Sequence, residues 1–190
     1  MSDDLFPATR GAGPLLQRDY WAVLADCALT PTDVIAHVKA HFCALPPASL
    51  VTFDAPDGLA RNARLDIRIT PAQQCAVRVI HDDEQSITLG TLDGHPEAGR
   101  ITFGAYRNAA GDVILHIRSR ARSTTLLKRV GFLAIGDAMQ TNTWTDFANN
   151  VAATVGRGAR GAIFSETHVV EDAPQDDPST GLPTFLARAD

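Results

Sequence analysis

His95 and Glu97 stand two residues apart in the run Gly90-Thr-Leu-Asp-Gly-His-Pro-Glu-Ala-Gly99. In an extended segment that spacing puts both side chains on one side, within reach of a common ligand. An imidazole that titrates near neutral pH beside a carboxylate can carry a proton, so His95 and Glu97 are candidates for acid-base work. The same residues also suit a structural role, with Pro96 stiffening a turn while His95 and Glu97 bond to loop backbone groups. Thr91, at the start of the run, is a further candidate ligand contact.

A second group is the alternation of His116, Arg118, Arg120 and Arg122 along one apolar run. On a strand these four share a face with Ile114 and form a basic stripe. If that face looks into a cavity, an arginine fork could anchor a carboxylate or phosphate head group, and His116 joins the proton-transfer candidates. If it looks outward, the arginines are solvated charges paired with Asp66 or with the acidic C-terminal segment. Arg68, which alternates with Leu65, Ile67 and Ile69, is counted with them as a candidate contact. Trp21 and Trp144, with Tyr20 and Phe147, supply aromatic surface suited either to a cavity wall or to plain core packing.

Other chemistries find little support. His37 and His41 are one helical turn apart with Cys43 nearby, but His37-Val-Lys-Ala-His41 lacks the glutamate of a zinc-protease helix and a third ligand at useful spacing, so no metal site is expected. There is no Gly-x-Ser-x-Gly elbow, and the Gly-x-Gly fragments at 11–13 and 156–161 do not join a strand to a helix as a phosphate loop must. No cofactor is expected.

The elements that must position these residues follow from periodicity. Residues 19–28 are compact, apolar and aromatic, which predicts a strand ended by Leu29-Thr-Pro. Thr30 can cap a helix with Pro31 at its first position and Asp33 at the positive end of its dipole; Val34, Ile35, Val38, Phe42 and Leu45 then recur at helical spacing up to Pro46-Pro47. From residue 49 to 122 the period is two, broken by turns at Asp82-Asp83-Glu84 and Asn108-Ala-Ala-Gly-Asp112, which predicts an antiparallel meander. Helical spacing returns over residues 124–154, and residues 162–170 suit one more edge strand. Residues 1–17 are expected to be a flexible leader, residues 18–156 the folded domain, and residues 157–190 an edge strand followed by an acidic, disordered-type tail.

The 190 residues, 45% apolar and 21% charged, suit one soluble domain with a sizeable core. The formal charge of -5 is local: residues 166–190 hold six acids and one arginine, which leaves sixteen acids facing sixteen bases in the rest. A balanced domain argues against nucleic acid as partner, because phosphate binding needs a basic excess. Three widely spaced cysteines, an acidic N-terminus and the lack of an apolar run of roughly 18 residues make a cytoplasmic protein without a membrane span the expectation.

The order strand, helix, meander and long closing helix is similar to the helix-grip fold of the START and birch-pollen-allergen superfamily, an α+β arrangement with a curved antiparallel sheet wrapped around a long C-terminal helix. More specifically, Leu89-Gly-Thr-Leu-Asp-Gly-His-Pro-Glu-Ala-Gly-Arg-Ile-Thr-Phe103 resembles the Y-G-T-L-P-G-H-P-E-x-G-E-x-x-F hallmark of a bacterial and plant family known as domain of unknown function nineteen-ninety. The resemblance extends through Val113-Ile-Leu-His-Ile-Arg-Ser-Arg120 into the closing helix and covers residues 60–153. Leu89, Asp93 and Arg100 depart from it, and Arg100 reverses the charge of a family acid. The resemblance implies a fold and a cavity but no reaction. It leaves three functional readings: a binding domain for an apolar or amphipathic small molecule or lipid between sheet and closing helix; an enzyme using the same cavity through His95, Glu97 and His116; and a protein-interaction or dimerisation domain, the chain being a monomer or homodimer.

Overall fold

The structure, a computed structural model, describes residues 3–69, 73–124 and 128–171, with the backbone alone for residues 128–139. Its elements are β1 (Ala12–Val23), α1 (Pro31–His41), β2 (Val51–Asp54), β3 (Arg64–Ile69), β4 (Gln73–Asp82), β5 (Ser86–Thr91), β6 (Glu97–Arg107), β7 (Val113–Ser123), α2 (Lys128–Val155) and β8 (Phe164–Val170). The strands form one open sheet in the order β2-β3-β4-β5-β6-β7-β1-β8, with every neighbouring pair antiparallel. This is the expected helix-grip arrangement: a meander from β2 to β7, the first strand returned beside the last, and a long C-terminal helix laid over β1 and β7.

Local chemistry accounts for most boundaries. Thr30 and Asp33 form a reciprocal capping box at the start of α1, with Pro31 at its first position. Asp83 ends the β4 to β5 turn by accepting hydrogen bonds from the Gln85 and Ser86 backbone. Asn108 does the same for Asp112 between β6 and β7 at 2.8 Å.

Two expectations need correction. The first strand begins at Ala12, not Asp19, so residues 12–17 belong to the sheet rather than to a leader. Gly13, at φ 83, and Pro14 disguise it, because the β1–β7 register slips between Ala12 and Leu16 and the bulge takes up both residues. It also ends at Val23, since Asp26 at φ 50 turns the chain toward α1. The edge strand expected at 162–170 is β8, paired to β1. The acidic tail expected beyond it lies outside the described residues.

Alternation divides the sheet into two faces. Tyr20, Ala22, Phe103, Ala105, Leu115 and Ile117 point to the helices and pack with Val34, Val38, Phe42, Phe147 and Val151. Each such fully buried large side chain contributes roughly 1.5–3 kcal/mol. The opposite face carries a smaller cluster of Trp21, Val23, Tyr106 and Ile114. Among the described residues, no helix is long and apolar enough to cross a membrane.

Candidate functional site

The glycine-rich run fastens three parts of the chain together. Gly94, at φ 94, lets the Leu92–His95 turn close, with the His95 amide donating to Leu92 O at 3.1 Å. Gly99 lets β6 approach β7: a Cβ there would stand 2.1 Å from Arg120 O and 2.7 Å from the Ala121 Cα. The Thr91 hydroxyl accepts from the Gly99 amide at 2.9 Å and donates to Phe6 O at 2.8 Å, tying in the N-terminal segment. Pro96 O accepts from both the amide and the hydroxyl of Thr124, which holds the end of β7 against the glycine-rich run.

This fastening fixes Glu97 at the mouth of β6. One carboxylate oxygen accepts from Arg18 of β1 at 3.3 Å and the other from Gln140 Nε2 of α2 at 2.6 Å. Arg18 is 3% exposed and lies on the helix-facing side, directly opposite Ser119 of β7. Ile101 of β6 pairs with Ser119, and Phe103 and Trp144 follow in edge-to-face contact at 5.4 Å. Two buried oxygens on this side of the sheet, Ser119 Oγ and Gln140 Oε1, have no hydrogen-bond partner. Because a carboxylate only accepts, the Gln140 amide nitrogen must face Glu97 and its oxygen must point elsewhere.

His95 stands beside this cluster without entering it. Its Nδ1 lies 2.9 Å from Glu97 O and 3.1 Å from the Glu97 amide nitrogen, so it is bound to the Glu97 backbone rather than to the carboxylate. Burial lowers its pKa, against the smaller opposing pull of Glu97. An imidazole held neutral with one nitrogen committed to the backbone braces a turn. Of the two readings of this residue, a proton carrier paired with Glu97 and a side chain bonded to loop backbone, these contacts correspond to the second.

The basic stripe lies on the other side of the sheet. His116, Arg118 and Arg120 pair across β1 with Trp21, Asp19 and Gln17, on the face turned away from α2. Asp19 is fully buried there; its Oδ1 accepts from His116 Nε2 at 2.8 Å and Arg118 Nε at 2.6 Å, and its Oδ2 from Gln17 Nε2 at 2.8 Å. Arg120 Nε donates to Gln17 Oε1 at 2.8 Å, Arg122 donates to Gly13 O, and the Tyr106 hydroxyl is 3.2 Å from His116 Nδ1. Burial opposes ionisation of Asp19, yet the bonds from His116 and Arg118 outweigh it and hold the carboxyl far below the usual range. The reading in which Arg118 and Arg120 anchor a head group beneath the closing helix is overturned by the register of β7. So is His116 as an acid-base group there, and Trp21, stacked on Phe164 at 5.2 Å, as a wall of the same cavity. Among the described residues Arg118 meets Asp19 and Arg120 meets Gln17, while Asp66 pairs with Arg64; the acidic tail, the other expected partner, lies outside the described residues.

Of the remaining candidates, Arg68 is exposed on β3, three strands from β6. Trp144 is partly buried on the helix side. The His37 and His41 rings are 4.4 Å apart, with His37 Nε2 3.0 Å from Thr154 Oγ1, and no third metal-ligating side chain stands with them among the described residues. Sequence reasoning missed Arg18, Ser119, Gln140 and Asp19. Two signals were present: Gln140 interrupts the apolar stripe that continues through Trp144, Phe147 and Val151 at helical spacing, and Gln17-Arg18-Asp19 is a charged run abutting an apolar strand.

Comparison with known proteins places these residues in context. A family model described as domain of unknown function (DUF1990) matches residues 41–150. No curated protein sequence matches the chain. Among solved structures, norcoclaurine synthase from Thalictrum flavum, in complex with dopamine and hydroxybenzaldehyde, is similar with a TM-score of 0.54 at 11% identity, over 82% of this chain and 93% of that one. Major latex-like protein 151 from Panax ginseng gives 0.51 at 12% identity over 75% and 99%. A protein from Chromobacterium violaceum gives 0.50 at 17% over 74% and 96%. At these identities the likeness is one of fold, the helix-grip fold of the START and birch-pollen-allergen superfamily.

Proposed function

The chain belongs to the family described as domain of unknown function (DUF1990), and from that membership and the helix-facing geometry we propose that it is a binding domain for an apolar or amphipathic small molecule held between the sheet and α2. The observation that carries this is the Arg18–Glu97–Gln140 cluster, set among Ile101, Phe103 and Trp144 and left with two buried oxygens unbonded. Folded proteins bond nearly all their buried polar atoms, so unbonded ones on the helix-facing side suit a site completed by a guest. The fold accommodates guests elsewhere, as in the Thalictrum enzyme with its two aromatic compounds.

Binding is favoured over catalysis because the proton-transfer candidates are committed. Glu97 is held by Arg18 and Gln140, and His95 by the Glu97 backbone. The three free thiols Cys27, Cys43 and Cys75 suit the cytoplasm. The reading is tested by native mass spectrometry of gently purified protein, followed by organic extraction of whatever leaves with it. A stoichiometric mass that disappears on denaturation supports it; a bare chain that no member of a lipid and metabolite panel stabilises overturns it.

A further inference from the structure

We propose that two copies of the chain join through the outer edge of β8, antiparallel about a two-fold axis at Thr167, so that their sheets become one.

The two ends of the sheet differ. At one end β2 is only four residues long; at the other β8 runs for seven, contains neither proline nor lysine, and follows β1 without a register shift. Short, bulged or lysine-bearing edges resist pairing with another chain, whereas a long regular one offers a row of backbone amides and carbonyls to it. Among the described residues no strand lies on the outer side of β8. Nor is either of its faces covered, since the first six residues are exposed and Val170 is only partly buried. Phe164, 48% exposed, and Val169, 71% exposed, are two of the three large apolar side chains exposed among the described residues.

The strand supplies its own complement. Two antiparallel copies of Phe164-Ser-Glu-Thr-His-Val-Val170 centred on Thr167 set Phe164 opposite Val170, Ser165 opposite Val169 and Glu166 opposite His168 of the second copy, each pair formed twice. All seven residues are then paired. An apolar pair closes each end, an imidazole faces a carboxylate on both sides of the axis, and threonine meets threonine at the centre, all favourable cross-strand combinations. Neighbouring registers lose this match: an axis at Glu166 or at His168 sets each against its own copy and leaves two residues of β8 beyond the pairing, and an axis at Ser165 sets Glu166 against Phe164.

The faces agree as well. Phe164, Glu166 and His168 stand beside Trp21, Asp19 and Gln17 of β1, on the side of the sheet turned away from α2. Trp21 stacks on Phe164 at 5.2 Å, and Val170 stands beside Leu15, so the axis would join these into one apolar row running from Trp21 of one copy to Leu15 of the other. His168 Nε2 lies 3.1 Å from Glu166 Oε2 within one strand, which places both groups on the face where the cross-strand pairs form.

The test is sedimentation velocity of the full chain. A single seven-residue strand pair is a small interface, so a reversible dimer with a dissociation constant of about 10–100 μM is expected. His168→Glu, which sets carboxylates against Glu166 across the axis, is expected to weaken the dimer about 10-fold, and adding Glu166→Lys to restore it. Mild oxidation reads the register: with the exposed thiol removed by Cys43→Ser, Thr167→Cys is expected to give a disulfide-linked dimer. Glu166→Cys and His168→Cys in the same background should cross-link little, because each lies about 8 Å from its own copy, beyond the reach of a disulfide. A chain that stays monomeric at every concentration overturns the proposal. So does a dimer in which the three cysteine variants cross-link equally, or one that folded His168→Glu leaves undiminished; should that variant fail to fold, the cysteine series decides alone.

Discussion

Arg18 and Asp19 are neighbours in sequence, and β1 turns them to opposite faces of one sheet. Each is buried and each meets an oppositely charged partner, but the two surroundings differ in kind. Around Asp19 both carboxylate oxygens are bonded, by His116, Arg118 and Gln17, and Gln17 passes the chain on to Arg120. On the Arg18 side, Arg18 bonds Glu97 and Glu97 bonds Gln140, while Gln140 Oε1 and, opposite Arg18, Ser119 Oγ carry no bond. The outer network is complete in the protein alone and stiffens the β1–β7 seam; the inner one carries unused hydrogen-bonding capacity beneath the closing helix. Burial of charge is common to both faces, whereas unbonded oxygens of Ser119 and Gln140 belong to the helix-facing one.

The largest expected effect strikes the complete network. Asp19→Ala leaves Arg118 and His116 buried without their carboxylate and is expected to cost about 3–5 kcal/mol, read by urea denaturation. A loss below about 1 kcal/mol would show that the outer network is dispensable and erase the contrast. Arg18→Met, on the inner face, keeps the apolar stem and leaves Glu97, whose side chain is 23% exposed, still reached by water and by Gln140. Its expected cost is about 1–2 kcal/mol, clearly below that of Asp19→Ala in the same assay.

Acid separates the two faces in a second way. Asp19 has a depressed pKa, so its stabilising contribution is present above the unfolded carboxyl value near 4 and is lost as pH falls below it. His95 is also depressed; the unfolded chain then binds its proton first, and stability falls as pH drops below the ordinary histidine value near 6.5. His37, lowered by burial and by His41, adds to the same window. Thermal midpoints against pH should therefore show a shallow decline below about 6.5 and a steeper one below about 4. His95→Asn, whose amide can donate to or accept from the Glu97 backbone but does not titrate, is expected to lessen the first and spare the second; Asp19→Asn should do the reverse. Identical profiles for both variants would mean that the faces do not titrate separately.

The fold was more legible than the site because it rests on repeated signals. The capping box at Thr30, the period-two runs and the long helical stripe each recur over many residues, so the meander and both helices follow from pattern. The site depends on parity, and parity depends on where a strand begins. Starting the first strand at Asp19 left Gln17 and Arg18 outside it, and no alternation rule says which side of β7 the closing helix covers. Hence Arg118 and Arg120 were attractive anchors by residue type, although Ser119, lying between them, is the residue that faces α2. Glu97 and Trp144 are singled out by the sequence because the glycine-rich motif and the amphipathic stripe point to them directly. Arg18 and Gln140 reach Glu97 across 79 and 43 residues, contacts that only the folded chain brings together.

The smallest effect is the most informative about the comparison. Ser119→Ala removes a hydroxyl that bonds to nothing, so the folded chain is expected to hold its stability or to gain as much as about 1 kcal/mol. The modest preference of strands for serine or threonine over alanine is small enough not to reverse that sign at a buried position. Chemical denaturation of the ligand-free protein reads it, with the unchanged denaturant slope as the check that the unfolded state is comparable. A loss of more than about 1 kcal/mol would mean that Ser119 is bonded in the free protein, by water or by a retained guest. Removing bound guests by extraction before the measurement distinguishes those two: a loss that disappears with the extract marks a guest, and one that persists marks a closed, water-filled inner face no different in kind from the outer one.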